Sequence, residues 1–393
     1  MRLDYDLLTP GRICFGWGRR EEVGRLAAAL GRRAFLVCGS RTLASSGVID
    51  EIERLLGQEG VQTVLLNSIS REPEVNDVDR TVELLRKQNA GEGDLLLAVG
   101  GGSAIDLAKA VAALATNHQG SSVLDFLEGV GRGLKIEASP LPMLAMPTTA
   151  GTGSEATKNA VISSYDPPFK KSLRSERMLP DVVLVDPELS VSVPPEITAQ
   201  TGMDAITQLI ESYISCRAQP VPQALCLQGL ELALPAITAA VTDGSSRTAR
   251  EQMSHAALIS GLALANSGLG MAHGVAASLG VHAKVPHGLA CAVMLPVALR
   301  VNRFHCEPQL VALGCRCLGF TEGLTDANEI IDAFIDYVTD ITAQVGIPHR
   351  LRDIGVEPHQ LADIVQSSRG NSMSGNPREL SDDELHEILE DLL

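Results

Sequence analysis

Aromatic side chains are scarce: one Trp, four Tyr and seven Phe make up 3% of the chain. A ring-rich core is excluded. Small aliphatic side chains must fill the interior instead, as in layered α/β and helical proteins. No Lys/Arg-rich run occurs, and the formal net charge is −16. Nucleic acids and anionic membrane surfaces are excluded as partners on electrostatic grounds. No CxxC pair occurs among the eight cysteines, Cys14, Cys38, Cys216, Cys226, Cys291, Cys306, Cys315 and Cys317. They form no disulfide framework and are expected as buried small hydrophobes in a reducing compartment. Met1–Gly11 holds no apolar leader, and no run reaches the ~18 apolar residues of a membrane span. A cytoplasmic location is expected.

What is present is enough for a large interior: 45% hydrophobic and 20% charged residues in a chain of 393. That length predicts about two domains. Short apolar runs bounded by turn residues read as strands at Ala34–Cys38, Thr63–Asn67, Asp94–Val99, Pro142–Pro147 and Asp181–Asp186. Helical periodicity falls between them at Glu21–Leu30, Ile49–Gln58, Asp77–Gln88 and Ala104–Ala115, the βαβ rhythm of a mostly parallel sheet. After Pro187 the texture becomes helical, at Asp204–Ser215, Gln223–Thr242, Thr248–Leu264, Gly274–Leu279, Asp326–Gln344 and Ser381–Leu393. Ser190–Pro195 reads as the hinge. The expected fold is an α/β Rossmann-like domain over residues 1–189 and an all-α domain over 190–393. A cleft between them is the expected ligand site.

The most pointed motif runs Asp94-Leu-Leu-Leu-Ala-Val-Gly100-Gly101-Gly102-Ser103-Ala-Ile-Asp106-Leu-Ala-Lys109. A buried strand enters three glycines and leaves into a helix. Glycines let the backbone approach a diphosphate, and the helix start offers N–H groups and a positive dipole end. Ser103 can cap the helix or donate to phosphate. The same glycines also fit a plain strand–helix turn, and the pattern is not G-x-G-x-x-G. A second loop, Met146–Glu155, carries Thr148, Thr149, Thr152 and Ser154 with two glycines. It fits phosphate, ribose or carboxamide, or an ordinary polar loop.

Asp204 and Gln208 stand i, i+4 near the start of a helical stretch and share a face. His273 and His287 follow in Gly270-Met-Ala-His273-Gly and Val285-Pro286-His287-Gly288. One carboxylate and two imidazoles suit Zn²⁺ or Fe²⁺ and leave a position for a substrate oxygen. Read singly, Asp204 also fits a helix-dipole role and each histidine an ordinary hydrogen-bonded one.

In this order, Gly100-Gly-Gly-Ser103-x-x-Asp106-x-x-Lys109, Pro147-Thr-Thr-Ala-Gly-Thr-Gly-Ser-Glu155, Leu179-Pro-Asp-Val-Val-Leu-Val-Asp186-Pro, Gly202-Met-Asp204-Ala, Pro286-His287-Gly288-Leu-Ala and Asn376-Pro-Arg378 resemble the iron-containing (group III) alcohol dehydrogenases. That family belongs to a superfamily with glycerol dehydrogenase and dehydroquinate synthase. The resemblance spans nearly the whole chain. It implies a dehydroquinate synthase-like fold, a metal-dependent NAD(P)-linked interconversion of a small alcohol and its aldehyde or ketone, and a homodimer.

It also implies roles. Gly101, Gly102 and Ser103 hold the pyrophosphate. Thr148, Thr149, Thr152 and Thr157 line the cofactor site, Lys170 approaches the nicotinamide ribose, and Leu189 packs near the nicotinamide. Asp204, His273 and His287 match the metal ligands. Two departures stand out. Gln208 replaces the family's His in DAxxH, and its neutral carbonyl is the poorer ligand, which implies a weaker site, a harder ion or three working ligands. Ala277 replaces a second, proton-relaying His, leaving His282 or water for that task. Gly39-Ser40-Arg41 lacks the Asp that NAD-preferring relatives often carry to accept from the ribose 2′-OH. NADP(H) is therefore expected to be accepted, with a leaning toward it. Two rivals follow from the same residues. One is a dehydroquinate synthase-like lyase that recycles NAD within its turnover. The other is a nucleotide-binding relative that has lost catalysis.

Overall fold

A computed structural model describes residues 5–39, 43, 45–321 and 325–393. Their contacts divide the chain into two compact units. One joins Leu8–Thr149 to Ser154–Ser190, and the other joins Ala150–Gly153 to Val191–Leu393. The division is not a single cut, because four residues of the second hydroxyl-rich loop pack with the helices.

The first unit alternates β1 (Arg12–Phe15), α1 (Val23–Ala28), β2 (Arg33–Cys38), α2 (Val48–Gln58), β3 (Gln62–Ser68), α3 (Val75–Lys87), β4 (Asp94–Gly100), α4 (Gly102–Thr116) and β5 (Met143–Pro147). A hairpin of β6 (Asn159–Tyr165) and β7 (Pro168–Arg174) precedes β8 (Val182–Val185). Among the described residues the main sheet has six strands in the order β1-β8-β5-β4-β2-β3, all parallel.

Alternation sets the two faces of the sheet. Phe35, Val37, Leu96 and Ala98 turn to one core with Val78 and Val82 of α3 and Ile105 and Val111 of α4. Ala34, Leu36, Leu95 and Leu97 turn to the other with Val23 of α1 and Ile52 and Leu56 of α2. β4 is buried along its whole length, as a strand covered on both faces must be, so its sequence is a continuous apolar run rather than an alternating one. Each such Leu contributes about 1.5–3 kcal/mol by leaving water.

Strand order places the nucleotide end. From β2 the chain moves to β3 on one side and then to β4 on the other. The carboxyl ends of β2 and β4 therefore flank a topological switch point, where open α/β sheets hold ligands.

The second unit is helical: α5 (Pro195–Ile214), α6 (Pro220–Thr242), α7 (Arg247–Ala265), α8 (Met271–His282), α9 (His287–Asn302), α10 (Glu307–Leu318), α11 (Ala327–Gln344), α12 (Leu361–Ser367) and α13 (Asp382–Asp391). α5 packs against α6, α7 and α9, and α8 packs against α9. α5 is buried on nearly every side from Thr198 to Ile214. By length and composition α6 is apolar enough to cross a membrane, with a mean hydropathy of 1.6 in its most apolar stretch. Here it lies against α5 and α7, with Cys226, Leu230, Leu234 and Ile237 buried.

Candidate metal centre and nucleotide cradle

α5 is the central helix of its unit, yet it carries Asp204, Gln208 and Glu211, all buried. Spacings of four and seven residues put the three on one stripe. Polar groups buried in a core helix need partners, and Gln208 and Glu211 find theirs in backbone and side-chain groups of other elements. Gln208 Nε2 donates to the Thr152 carbonyl at 3.0 Å and to Ser260 Oγ at 2.8 Å. Glu211 accepts from the backbone amides of Ala272 (2.7 Å) and His273 (3.3 Å) at the start of α8. A carboxylate there answers both the open amides and the helix dipole. Asn376 Oδ1 accepts the neighbouring Met271 amide at 3.1 Å, which gives the Asn376-Pro-Arg378 motif its local task.

Glu211 also takes the ring. His273 Nδ1 lies 2.7 Å from Glu211 Oε2. With the Nδ1 proton donated there, Nε2 is turned toward Asp204 Oδ1 at 3.3 Å. This is the carboxylate–histidine pairing that orients metal-binding imidazoles. His287, the first residue of α9, brings Nε2 to 3.9 Å from the same Asp204 oxygen. The two rings meet edge-on, with centroids 5.6 Å apart.

Asp204, His273, His287 and Cys291 each offer a donor atom, and all four atoms lie within 4.8 Å of one another. Asp204 Oδ1 and His273 Nε2 are buried and make no hydrogen bond. Burial opposes charge on Asp204, but His287 and His273 hold its carboxyl below the usual range. Burial likewise opposes protonation of His273, but Cys291, Asp204 and Glu211 raise it well above its ordinary value. Such a pocket attracts a cation. Two buried ligand atoms converging without a hydrogen bond, beside a third residue's ring and a thiol, fit a divalent ion. Burial pushes the Cys291 thiol up to about 12. Three of the four residues are deeply buried, while the His287 side chain keeps 25% of its surface exposed.

The proton-relay candidate is not brought to this cluster. His282 lies nine residues beyond His273 on α8, about two and a half turns and roughly 13 Å away, so it faces the opposite side. Its Nε2 meets Ser367 Oγ at 2.8 Å.

In the α/β unit the glycine turn sits at the switch point. A Cβ on Gly100 would lie 2.7 Å from Gly39 Cα and 2.8 Å from Gly39 N. The backbones ending β2 and β4 thus touch, which only glycine permits. α4 starts at Gly102 with Gly101 as its N-cap and, among the described residues, no side-chain cap. Gly101, Gly102 and Ser103 are partly exposed. The Thr148 amide donates to the Gly100 carbonyl at 3.0 Å, and Thr149 sides against Gly101. These residues can cradle a diphosphate. Ser40 and Arg41 lie outside the described residues.

Two predicted cofactor residues are engaged elsewhere. Thr157 Oγ1 is buried and accepts from Lys109 Nζ at 2.8 Å. Lys170 Nζ is held by Glu72. Leu189 is buried in the core shared by α1 and α2. Asp106 and Lys109, one turn apart on α4, explain the rest of the glycine motif. Lys109 Nζ donates to the carbonyls of Ser154 (2.8 Å) and Asn159 and pairs with Asp106 at 3.3 Å. Ser154 Oγ donates to Asp106. The pair fastens the Ser154–Asn159 loop beneath the turn.

Sequence reasoning missed Cys291 and Glu211. Cys291 stands i+4 from His287 and Glu211 i+7 from Asp204, so helical spacing carried a signal for both.

A nucleotide-type cradle on a parallel sheet and a buried O, N and S donor cluster on a helical unit define a metal-using dinucleotide enzyme. Residues 10–187 match the iron-containing alcohol dehydrogenase family model, and residues 198–393 match the model for that family's C-terminal part. The chain is 34% identical to 1,3-propanediol dehydrogenase of Citrobacter freundii over 392 residues, 98% of this chain and 97% of that one. It is 30% identical to NADPH-dependent butanol dehydrogenase of Clostridium saccharobutylicum, covering 97% and 96%. The crystal structure of sulfoacetaldehyde reductase from Bifidobacterium kashiwanohense in complex with NAD⁺ superposes with a TM-score of 0.85 at 30% identity, covering 100% and 99%. This chain belongs to the iron-containing alcohol dehydrogenase family, whose members are oxidoreductases using NAD(P) and a metal.

Proposed function

We propose that this protein interconverts a small alcohol and its aldehyde or ketone, with Asp204, His273 and His287 holding a divalent ion, Fe²⁺ or Zn²⁺, at the reacting oxygen. The observation that carries the reading is the pair of buried polar atoms, Asp204 Oδ1 and His273 Nε2, facing each other at 3.3 Å without a hydrogen bond. When bound, the ion polarises a carbonyl or eases loss of an alcohol's proton, while the nicotinamide gives or takes the hydride.

The residues' own tasks follow. Glu211 fixes the His273 ring so that Nε2 stays available. Asp204 remains ionised. Partial exposure of His287 makes its side the entry for substrate. Gly100–Ser103, Thr148 and Thr149 hold the diphosphate. The absence of an acid in Gly39-Ser40-Arg41 supports use of NADP(H), with Arg41 meeting the 2′-phosphate. A cytoplasmic homodimer completes the proposal.

Asp204→Ala and His287→Ala should each cut kcat/KM by at least about 10³-fold, roughly 4 kcal/mol of transition-state stabilisation. Near-wild-type turnover in both, with no metal found by elemental analysis, would defeat the reading. For the cofactor, Arg41→Ala should lower kcat/KM for NADPH and spare NADH. A strong preference for NADH that Arg41→Ala leaves unchanged would reject the NADP assignment.

A further inference from the structure

We propose that Cys291 binds the metal as a thiolate. It completes a four-residue O, N, N, S donor set and takes the place left by Gln208. The inference rests on the metal-dependent reading above and extends it to the identity of the ligands.

The geometry is specific. His287 and Cys291 are one turn apart on α9, so both side chains leave the same face. Cys291 is fully buried, yet its sulfur lies 3.7 Å from His287 Nε2, in a group that also contains Asp204 and His273. A cysteine serving as a core hydrophobe would face aliphatic side chains. Zn–N and Zn–O bonds of about 2.0–2.1 Å and a Zn–S bond of about 2.3 Å give tetrahedral edges of about 3.3 Å for N···O and about 3.6 Å for N···S. The chain holds Asp204 Oδ1 and His273 Nε2 at 3.3 Å and the His287–Cys291 pair at 3.7 Å. Of these three edges the 3.9 Å between Asp204 Oδ1 and His287 Nε2 is the one that must shorten, and the other three lie within 4.8 Å. Gln208, by contrast, spends its amide on Thr152 and Ser260.

The thiol gives up its proton as it binds the ion. Asp204 and Cys291 then supply two negative charges to a divalent cation. A thiolate in the set favours borderline ions such as Zn²⁺, Co²⁺ and Fe²⁺ over Mg²⁺ and Mn²⁺. The substitution at position 208 therefore shifts the site toward softer metals.

The test is to strip the protein with a chelator and add one equivalent of Co²⁺. A near-ultraviolet thiolate-to-cobalt charge-transfer band is expected alongside the visible d–d bands. Cys291→Ser should lose the charge-transfer band and weaken Zn²⁺ binding, read by chelator competition, by at least about 10-fold, the lower end for loss of a mere supporting contact. Gln208→Ala should keep the band. X-ray absorption at the zinc edge of the wild-type protein should show one sulfur at about 2.3 Å, a readout that needs no variant. Bound Co²⁺ with d–d bands but no charge transfer, a band that survives Cys291→Ser, or a zinc edge without sulfur would each overturn the proposal and leave the three-ligand reading standing. Failure to bind either metal at all would overturn both.

Discussion

In the α/β unit the candidate site is made of backbone: Gly39 touching Gly100, the open start of α4, and the Thr148 amide tied to the Gly100 carbonyl. In the helical unit it is made of side chains from three helices, with Glu211 and Asn376 arranging the start of the helix that carries His273. The first kind of site fails when a Cβ is added. The second fails when a functional group is removed. The first is written in one local stretch of sequence, whereas the second is scattered from position 204 to 291.

The contrast can be broken most forcefully at Lys109, a buried side chain on which the backbone-built site rests. Lys109→Met leaves Asp106 without its cation and the Ser154, Thr157 and Asn159 carbonyls without their donor. A loss of about 3–5 kcal/mol in denaturant unfolding is expected. A loss below about 1 kcal/mol would show the Ser154–Asn159 loop to be self-supporting.

Glu155 gives the next largest effect. Burial lifts its carboxyl from an ordinary 4.5 to about 7. The folded chain keeps a proton that the unfolded chain releases between those values. This group's stabilisation is thus full below pH 4.5 and fades as pH rises through 7. Glu155→Gln should remove that slope and gain about 3 kcal/mol at pH 8 relative to wild type, measured by urea unfolding at pH 5 and pH 8. Identical pH dependence in the two proteins would contradict it.

The remaining pair sharpens the comparison by crossing it. Gly100→Ala forces a methyl against Gly39, and overpacking of about 1–3 kcal/mol corresponds to a loss of up to about 100-fold in NAD(P) affinity. Metal affinity should not change. Glu211→Gln should do the reverse, weakening Zn²⁺ binding by roughly 10- to 100-fold while calorimetry finds NAD(P) affinity unaltered. Equal losses of both ligands in either variant would erase the distinction.

The same contrast explains what could be read from the residues. The strand–glycine–helix run from Asp94 to Lys109 declared both its fold and its site, because a backbone cradle needs contiguous residues. Asp204, His273 and His287 were reachable through the family resemblance, since spacing alone left each an ordinary alternative. Cys291 was hidden by its own chemistry: a cysteine in an apolar helix looks like core until a histidine is placed one turn before it in space. Glu211 was hidden because its partner is the start of a helix about 60 residues later. The β6–β7 hairpin lacks the long apolar run that marked the sheet strands, and only Leu173 of β7 is buried. His282 was a candidate by residue type, and helical phase turned it away.

Ala150–Gly153 carries a consequence for taking the molecule apart. The Gly153 backbone passes so close to Gly261 that a Cβ on either would overlap the other, and the Thr152 carbonyl is what Gln208 holds. A gene fragment starting at residue 190 would code for α5 to α13 and still omit a strip of that unit's own interior. Recombining such halves between relatives exchanges that strip along with the sheet it travels with, so swapped chimaeras would inherit a mismatch beside the helix that carries Asp204 and Gln208 unless those four residues are transplanted too.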